Sequence, residues 1–182
     1  MLKLLKEILR TGDATTKYPF APIEVAPNFR GKPEHDAEKC IACAACAIAC
    51  PPNALQIETD LKAGTRTWSI NYGRCIFCGR CEEACPTGAL MLSPQFELAV
   101  MNKADLERKA IFKLETCSEC GKPFAPAKEI AYVAEILEQT AASPEGAERQ
   151  NKLLHMCPEC RRKHDLEKVA KMNIAAQMET SK

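Results

Sequence analysis

Two stretches of the sequence, CIACAACAIACPPNAL at residues 40–55 and CIFCGRCEEACPTGAL at residues 75–90, determine the expected fold. Each contains the spacing C-x-x-C-x-x-C-x-x-x-C followed directly by proline. The cysteines are Cys40, Cys43, Cys46 and Cys50 in the first stretch and Cys75, Cys78, Cys81 and Cys85 in the second. This spacing is typical of a pair of [4Fe–4S] clusters. We therefore expect both stretches to bind clusters whose task is one-electron transfer.

The fourth cysteine of each stretch is expected to bind the cluster of the other stretch, as in two-cluster ferredoxins. One predicted ligand set is Cys40, Cys43, Cys46 and Cys85, and the other is Cys75, Cys78, Cys81 and Cys50. Zinc or a buried thiol is the alternative for a single C-x-x-C pair. A tetrahedral zinc site has no use for the third cysteine of each stretch, so the pattern favours iron–sulfur clusters.

The two stretches form an internal repeat with an offset of 35 residues, which indicates a duplicated half-domain. Between them, LQIET and TRTWSINY alternate apolar and polar residues on either side of Lys62-Ala63-Gly64. This alternation predicts a β-hairpin with Trp68, Ile70 and Tyr72 on one face. We therefore predict an α+β fold: a two-[4Fe–4S] bacterial ferredoxin-like domain over residues 40–92, with an inserted β-hairpin.

The N-terminal residues 1–39 are expected to form an amphipathic helix and an extended arm. LKLLKEILR at residues 2–10 places leucines on one helical stripe and basic residues elsewhere. Such a helix suits either a membrane surface or a partner subunit, and both interpretations stay open. The following segment contains Pro19, Pro22, Pro27 and Pro33 with little periodicity, so it is expected to be extended.

A second cysteine group lies beyond a predicted linker at residues 93–116. Cys117-x-x-Cys120 and Cys157-x-x-Cys160 flank a helical pattern, KEIAYVAEILEQT, and supply four thiols for one mononuclear metal. We predict a tetracysteine module over residues 117–164, similar to zinc ribbons and rubredoxins, and a C-terminal tail at 165–182. Zinc is favoured and a single iron is the alternative; unmetallated redox thiols stay open.

The sequence indicates no definite role for the three histidines. His155 and His164 lie near Cys157 and Cys160 and could replace a ligand, although the four cysteines favour a supporting or solvated role for them. His35 is a lone histidine with no evident chemistry.

Composition excludes several classes of protein. The N-terminus lacks the long apolar stretch of a signal peptide, so a reducing cytoplasm is expected. The formal net charge is +1. With all cysteines binding metal as thiolates, the loaded protein would carry about −5, which argues against nucleic-acid binding. The chain also lacks nickel–iron, dinucleotide and catalytic-triad motifs, so we assign no catalytic residue and expect substrate chemistry to lie in partners.

The segment INYGRCIFCGRCEEACPTGALMLSPQFEL at residues 70–98, with Phe29-Arg30-Gly31 upstream, resembles the eight-iron ferredoxin subunit of respiratory complex I and its membrane-bound [NiFe]-hydrogenase relatives. The likeness covers roughly residues 1–100, and the Cys117–Cys160 group departs from the complex I subunit. That departure and the N-terminal sequence at 1–25 are similar to the iron–sulfur subunit of formate hydrogenlyase or hydrogenase-4.

The resemblance implies a non-catalytic relay subunit. In that family the subunit passes electrons between other iron–sulfur proteins and the hydrogenase, and it docks on a membrane arm. We therefore expect two [4Fe–4S] clusters, hydrogenase and iron–sulfur partner subunits, and a peripheral position on the cytoplasmic side of the cell membrane. The alternatives are the equivalent subunit of a complex I-type NADH:quinone oxidoreductase, a free soluble ferredoxin, and a metal-ribbon binding protein.

Overall fold

A computed structural model describes residues 2–12, 15–140 and 143–171. Its helices are α1 (Leu2–Thr11), α2 (Ala45–Ile48), α3 (Arg80–Glu83), α4 (Ala127–Thr140), α5 (Pro144–Leu154) and α6 (Pro158–Lys171), with a short 3₁₀ helix at Lys103–Leu106. Its strands are β1 (Pro33–His35), β2 (Leu55–Asp60), β3 (Thr65–Asn71), β4 (Leu90–Leu92), β5 (Glu107–Thr116) and β6 (Pro123–Pro126). The predicted mixture of helices and strands is confirmed. The part of the predicted tail beyond residue 171 lies outside the described residues.

The predicted hairpin is present as β2 and β3, which pair antiparallel from Leu55 opposite Ile70 to Asp60 opposite Thr65. The Asp60 carboxylate accepts hydrogen bonds from the Lys62 and Ala63 backbone N–H groups at 2.8 and 3.0 Å, which closes the turn. The three side chains that were expected on one face are all buried, because that face covers the cysteine-bearing loops.

The predicted linker at residues 93–116 is wrong in its second half, where β5 is a ten-residue strand. β5 pairs antiparallel with β3, and its other edge pairs with β6, so the sheet order is β2-β3-β5-β6. Phe112 and Leu114 point into the core, whereas Ile111 is 71% exposed on the outer face. The apolar Ile111 on the solvent side obscures the alternation that would have predicted a strand.

The N-terminal arm reaches the core through β1, which pairs antiparallel with β4. The Gly31 N–H donates to the Ser93 carbonyl at 2.9 Å. A Cβ atom at Gly31 would lie 2.5 Å from that carbonyl oxygen and would also clash with the Gln95 carbonyl. Only glycine therefore permits this close approach. Ahead of it, the predicted helix α1 is present and has no buried residue.

The core lies between the sheet and the two cysteine-bearing loops. Its largest buried side chains are Leu55, Trp68, Ile70, Tyr72, Leu90 and Phe112. A separate small cluster surrounds Met156 and the C-terminal cysteines, with Phe124 and Leu153 packed against it. Among the residues that the structure describes, no helix is both long and apolar enough to cross a membrane.

Candidate metal centres

The first candidate site is a cavity that brings together cysteines from both halves of the repeat. Its cysteines are Cys40, Cys43, Cys46 and Cys85. The rest of the wall is mostly apolar and includes Ala42, Ile57, Trp68 and Leu90. The grouping is the one predicted for the first crossed ligand set.

The second candidate site repeats this arrangement with the roles of the two halves exchanged. Its cysteines are Cys50, Cys75, Cys78 and Cys81. Leu55, Ile70 and Phe77 line the same cavity. Each half of the repeat therefore supplies three cysteines to one cavity and one cysteine to the other.

The backbone follows the sequence repeat closely at three pairs of left-handed residues. The pairs, each 35 residues apart, are Ala42 and Phe77 (φ 56° and 54°), Ala44 and Gly79 (68° and 81°), and Asn53 and Gly88 (51° and 63°). Alanine and phenylalanine rarely adopt positive φ, because their Cβ crowds the backbone. Such strain at matching positions of both loops is typical of a ligand-binding conformation.

The left-handed residues of the two loops direct their amides toward sulfur. The Ala42 N–H donates to Cys40 Sγ at 3.4 Å, and the Phe77 N–H donates to Cys75 Sγ at 3.5 Å. The positions are equivalent in the repeat. Donors of this kind stabilise negative charge on a thiolate, which a metal-bound cysteine carries.

The two crossing cysteines also receive equivalent hydrogen bonds. The Ala54 N–H donates to Cys50 Sγ at 3.3 Å, and the Ala89 N–H donates to Cys85 Sγ at 3.2 Å. Burial acts to raise the pKa of Cys85, but hydrogen bonds from the Thr87 hydroxyl and from backbone N–H groups outweigh it and lower that pKa. Both crossing cysteines thus accept a backbone hydrogen bond at sulfur.

The buried cysteines show why these cavities fit a positively charged metal core. Burial raises the pKa of Cys46 to about 11 and that of Cys81 to about 11. Such thiols would stay protonated at neutral pH without a cation beside them. An iron–sulfur core supplies the positive charge, and soft thiolates are its preferred ligands. The donor sets of both cavities therefore fit [4Fe–4S] clusters.

His35 has a place that the sequence analysis missed. Its ring stacks on Trp68 with centroids 3.8 Å apart and an interplanar angle of 11°, and it lines the first cavity. Burial lowers the pKa of His35. Its position depends on the pairing of β1 with β4, which no local sequence pattern indicates.

The third candidate site is formed by the C-terminal cysteines Cys117, Cys120, Cys157 and Cys160. Their four Sγ atoms all lie within 4.8 Å of one another. Cys120 Sγ and Cys157 Sγ are 3.7 Å apart. A tetrahedral site with metal–sulfur bonds of about 2.3 Å has sulfurs about 3.8 Å apart. This distance fits one mononuclear metal.

The cysteines of this third site differ in how readily they ionise. Backbone N–H groups of Cys120 and Cys157 lower the pKa of Cys117 to about 6. The neighbouring Cys157 thiol, followed by burial, raises the pKa of Cys160 to about 12. Four crowded thiols thus cannot all ionise unless a cation offsets their repulsion.

The two C-terminal histidines contact carboxylates beside the third site. His155 Nδ1 lies 3.5 Å from Glu115 Oε1, and His164 Nε2 lies 2.5 Å from Glu119 Oε1. Each histidine therefore already has a partner, and the tetrahedral set is complete with four cysteines. Both histidine side chains are also exposed to solvent, and the supporting or solvated role expected for them stays a prediction.

Comparisons with known proteins find a family match in the middle of the chain. The family described as "4Fe-4S dicluster domain" matches residues 39–89. That range contains both cysteine runs and the β2–β3 hairpin. It ends before β5 and the C-terminal cysteines.

Longer matches cover most of the chain. Formate hydrogenlyase subunit 6 of Escherichia coli (strain K12) is 50% identical over 162 residues, which is 89% of this chain and 89% of that protein. An NAD(P)H-quinone oxidoreductase subunit I of Prochlorococcus marinus is 31% identical over 152 residues, covering 80% of this chain and 69% of the relative. A chain in the structure of the membrane-bound sulfane sulfur reductase, an archaeal respiratory membrane complex, matches with a TM-score of 0.44 and 35% identity over 54% of this chain and 53% of that one.

Proposed function

The chain belongs to the family of iron–sulfur subunits that includes formate hydrogenlyase subunit 6, and from that premise we propose that it relays electrons inside a membrane-associated [NiFe]-hydrogenase complex. The observation that carries the proposal is the pair of cavities, each lined by four cysteines contributed by both halves of the repeat. When bound there, a [4Fe–4S] cluster supplies a centre that accepts and returns one electron.

The proposed ligands are the two crossed sets. Cys40, Cys43, Cys46 and Cys85 hold the first cluster, and Cys75, Cys78, Cys81 and Cys50 hold the second. The protein's contribution is to keep both sites dry and close together. Leu55, Trp68, Ile70 and Leu90 belong to one continuous core with buried cysteines of both sets. A shared, rigid core suits electron transfer because little reorganises when an electron arrives.

Helix α1 supports a docked subunit over a freely diffusing ferredoxin. Its apolar side chains, among them Leu2, Leu5 and Leu9, are exposed, and none of its described residues is buried. A diffusible carrier has no use for such a helix. In the proposed complex, α1 and the arm anchor the subunit peripherally at the cytoplasmic side of the cell membrane, beside hydrogenase and iron–sulfur subunits.

We propose zinc at the tetracysteine site, with a single iron as the alternative. Structural zinc commonly occupies four-cysteine sites, and the small apolar cluster around Met156 offers little other support for the C-terminal helices. The metal would therefore stabilise this module and take no part in the electron relay.

Native co-purification tests the proposed function most directly. A tagged full-length chain would be isolated anaerobically from cells that express it at its natural level, and its partners, iron content and EPR spectrum would be measured. We expect a nickel–iron large subunit and two [4Fe–4S] clusters per chain. Fewer than two clusters would refute the electron relay.

The same preparation separates the remaining alternatives. Flavin-containing, NADH-oxidising partners would select the complex I-type assembly instead of a hydrogenase. A stable, partner-free chain with diffusible electron-transfer activity would select a soluble ferredoxin. Salt-sensitive binding to nucleic acid that disappears with the C-terminal cysteines would favour a metal-ribbon protein.

A further inference from the structure

Strand β3 presents a different side chain to each cluster cavity. Trp68 and Ile70 are both buried and point to the same face of the sheet. Trp68 lines the first cavity and Ile70 lines the second. The indole carries an N–H donor, and the isoleucine side chain carries none. The two otherwise equivalent cavities therefore differ in the side chain that β3 contributes to each.

The indole N–H of Trp68 lacks a hydrogen-bond partner in the part of the chain that the structure describes, although the atom is fully buried. A buried donor that is left unpaired costs free energy, so its surroundings call for an acceptor. The ring is held in place by its parallel stack on His35. The indole lines the cavity that also contains the four cysteines of the first site.

Positive charge is also concentrated at the loop of the first cavity. Arg66, whose side chain is 19% exposed, donates from Nη1 to the Ala42 carbonyl at 3.1 Å. Glu129 offsets part of that charge from 3.7 Å away. Lys128, from the start of α4, donates to the Ala37 and Glu38 carbonyls at 2.8 and 3.0 Å. Basic side chains from β3 and from the C-terminal module therefore both contact this loop.

The second cavity has weaker cationic surroundings. Arg80 lies on its rim, but its side chain is 67% exposed and forms an ion pair with Glu83 at 3.8 Å. Arg30 reaches the Cys78 carbonyl only at 3.5 Å, in an exposed position. Water screens these charges more strongly than it screens Arg66.

We propose that Trp68 donates its indole N–H to a sulfur atom of the cluster bound in the first cavity, and thereby holds that cluster at a higher reduction potential than the second. The inference rests on the proposed function, because it requires both clusters to be present. Reduction adds one negative charge to a cluster, so a directed donor and the less screened charge of Arg66 favour the reduced form. An electron delivered to this domain would rest on the first cluster.

The first test is the substitution Trp68→Phe in the anaerobically purified full-length protein, followed by an EPR-monitored redox titration. Phenylalanine keeps an aromatic ring beside His35 and removes the N–H, together with part of the volume of the indole. We expect the higher of the two midpoint potentials to fall and the lower one to stay unchanged. The signal that Cys43→Ser alters identifies the first cluster. Unchanged potentials in Trp68→Phe, or a first cluster that is the lower of the two, would overturn the inference.

A packing control separates the hydrogen bond from general loosening of the core. Phe112 packs against His35, the ring on which Trp68 stacks, and the centroids of Phe112 and His35 are 6.3 Å apart. Phe112→Leu disturbs this packing but keeps the indole N–H, so we expect it to leave the gap between the two potentials intact. An equal change in Phe112→Leu and Trp68→Phe would assign Trp68 a purely structural role and refute the proposal.

The second test needs no substitution, so it holds even if Trp68→Phe fails to fold. The chain contains one tryptophan. Labelling tryptophan with indole ¹⁵N therefore marks Trp68 alone. In a sample poised so that only the higher-potential cluster is reduced, pulsed EPR should detect ¹⁵N coupling. Two clusters without this coupling would overturn the inference and leave the proposed function standing, whereas fewer than two clusters would refute the function itself.

Discussion

Cys50 and Cys85, at equivalent positions 35 residues apart, each lie in the cavity lined by the other half's three cysteines. Each also accepts a backbone hydrogen bond from the residue four positions later, at 3.3 and 3.2 Å. This exchange means that neither half of the repeat can complete its site alone. The two halves are therefore expected to fold as one unit.

Replacing Cys85 with alanine should remove the first cluster and spare the second, because Cys85 lines the cavity of Cys40, Cys43 and Cys46. Iron content should fall from about eight to about four atoms per chain, not counting any iron at the C-terminal site. Chemical iron analysis and EPR check this. Cys50→Ala is the matched variant and should remove the other signal. Loss of the same signal in both variants would contradict the crossed assignment.

Replacing Cys157 with serine should remove the metal of the C-terminal site, because Cys157 Sγ is one of four sulfurs within 4.8 Å of one another. Elemental analysis should show one metal atom fewer per chain, with both iron–sulfur EPR signals retained. His164→Gln is the control. His164 contacts Glu119, and its substitution leaves all four cysteine ligands in place. Equal metal loss in both variants would show that the histidine is a ligand.

Replacing Phe112 with alanine should lower the free energy of unfolding by roughly 3–5 kcal/mol, because the ring is buried in the core and a cavity would remain. Denaturation under anaerobic conditions, followed by far-ultraviolet circular dichroism, measures this loss. Its neighbour Ile111 is 71% exposed, so Ile111→Ala should change the free energy by less than about 0.5 kcal/mol. Equal, small effects would mean that residues 107–116 behave as a linker after all.

Replacing Gly31 with alanine should loosen the N-terminal arm, because the added Cβ would collide with the Ser93 and Gln95 carbonyl oxygens. We expect a cost of roughly 1–3 kcal/mol and faster limited proteolysis of the arm. Gly12→Asn is the control: no atom crowds that position, and asparagine tolerates its φ of +60°. Cleavage of Gly31→Ala at the wild-type rate would refute the docking of the arm at this point.

Replacing Lys128 with methionine should lower the reduction potential of the first cluster and leave the second unchanged, because its ammonium group contacts the loop that precedes Cys40. An EPR-monitored titration checks the direction. Lys62 lies in the exposed hairpin turn away from both cavities, so Lys62→Met is the charge-matched control. The same shift in both variants would indicate an effect of net charge alone.

Local patterns in the sequence predicted much of the site. The cysteine spacing predicted that the first three thiols of each run line one cavity, because ligands two residues apart wrap one loop around one centre. The alternation around Gly64 predicted the hairpin, and the apolar spacing near Ile130 predicted α4. Each of these features depends on residues close together in the chain.

Pairings between distant segments escaped prediction. β5 was expected to be a linker, and nothing near His35 indicated that it would stack on Trp68, 33 positions later. Both depend on strand pairing across the chain, which side-chain periodicity does not specify when an exposed residue such as Ile111 is apolar.

The amino-acid sequence by itself indicated the duplication and the task of electron transfer and predicted the two ligand sets, because short-range spacing dictates coordination chemistry. Only the tertiary structure decided how the two equivalent sites differ. β3 presents Trp68 to one cavity and Ile70 to the other, and α4 brings Lys128 to the loop of the first. Those contacts arise from packing between distant segments, and packing sets the electrostatic surroundings of each site.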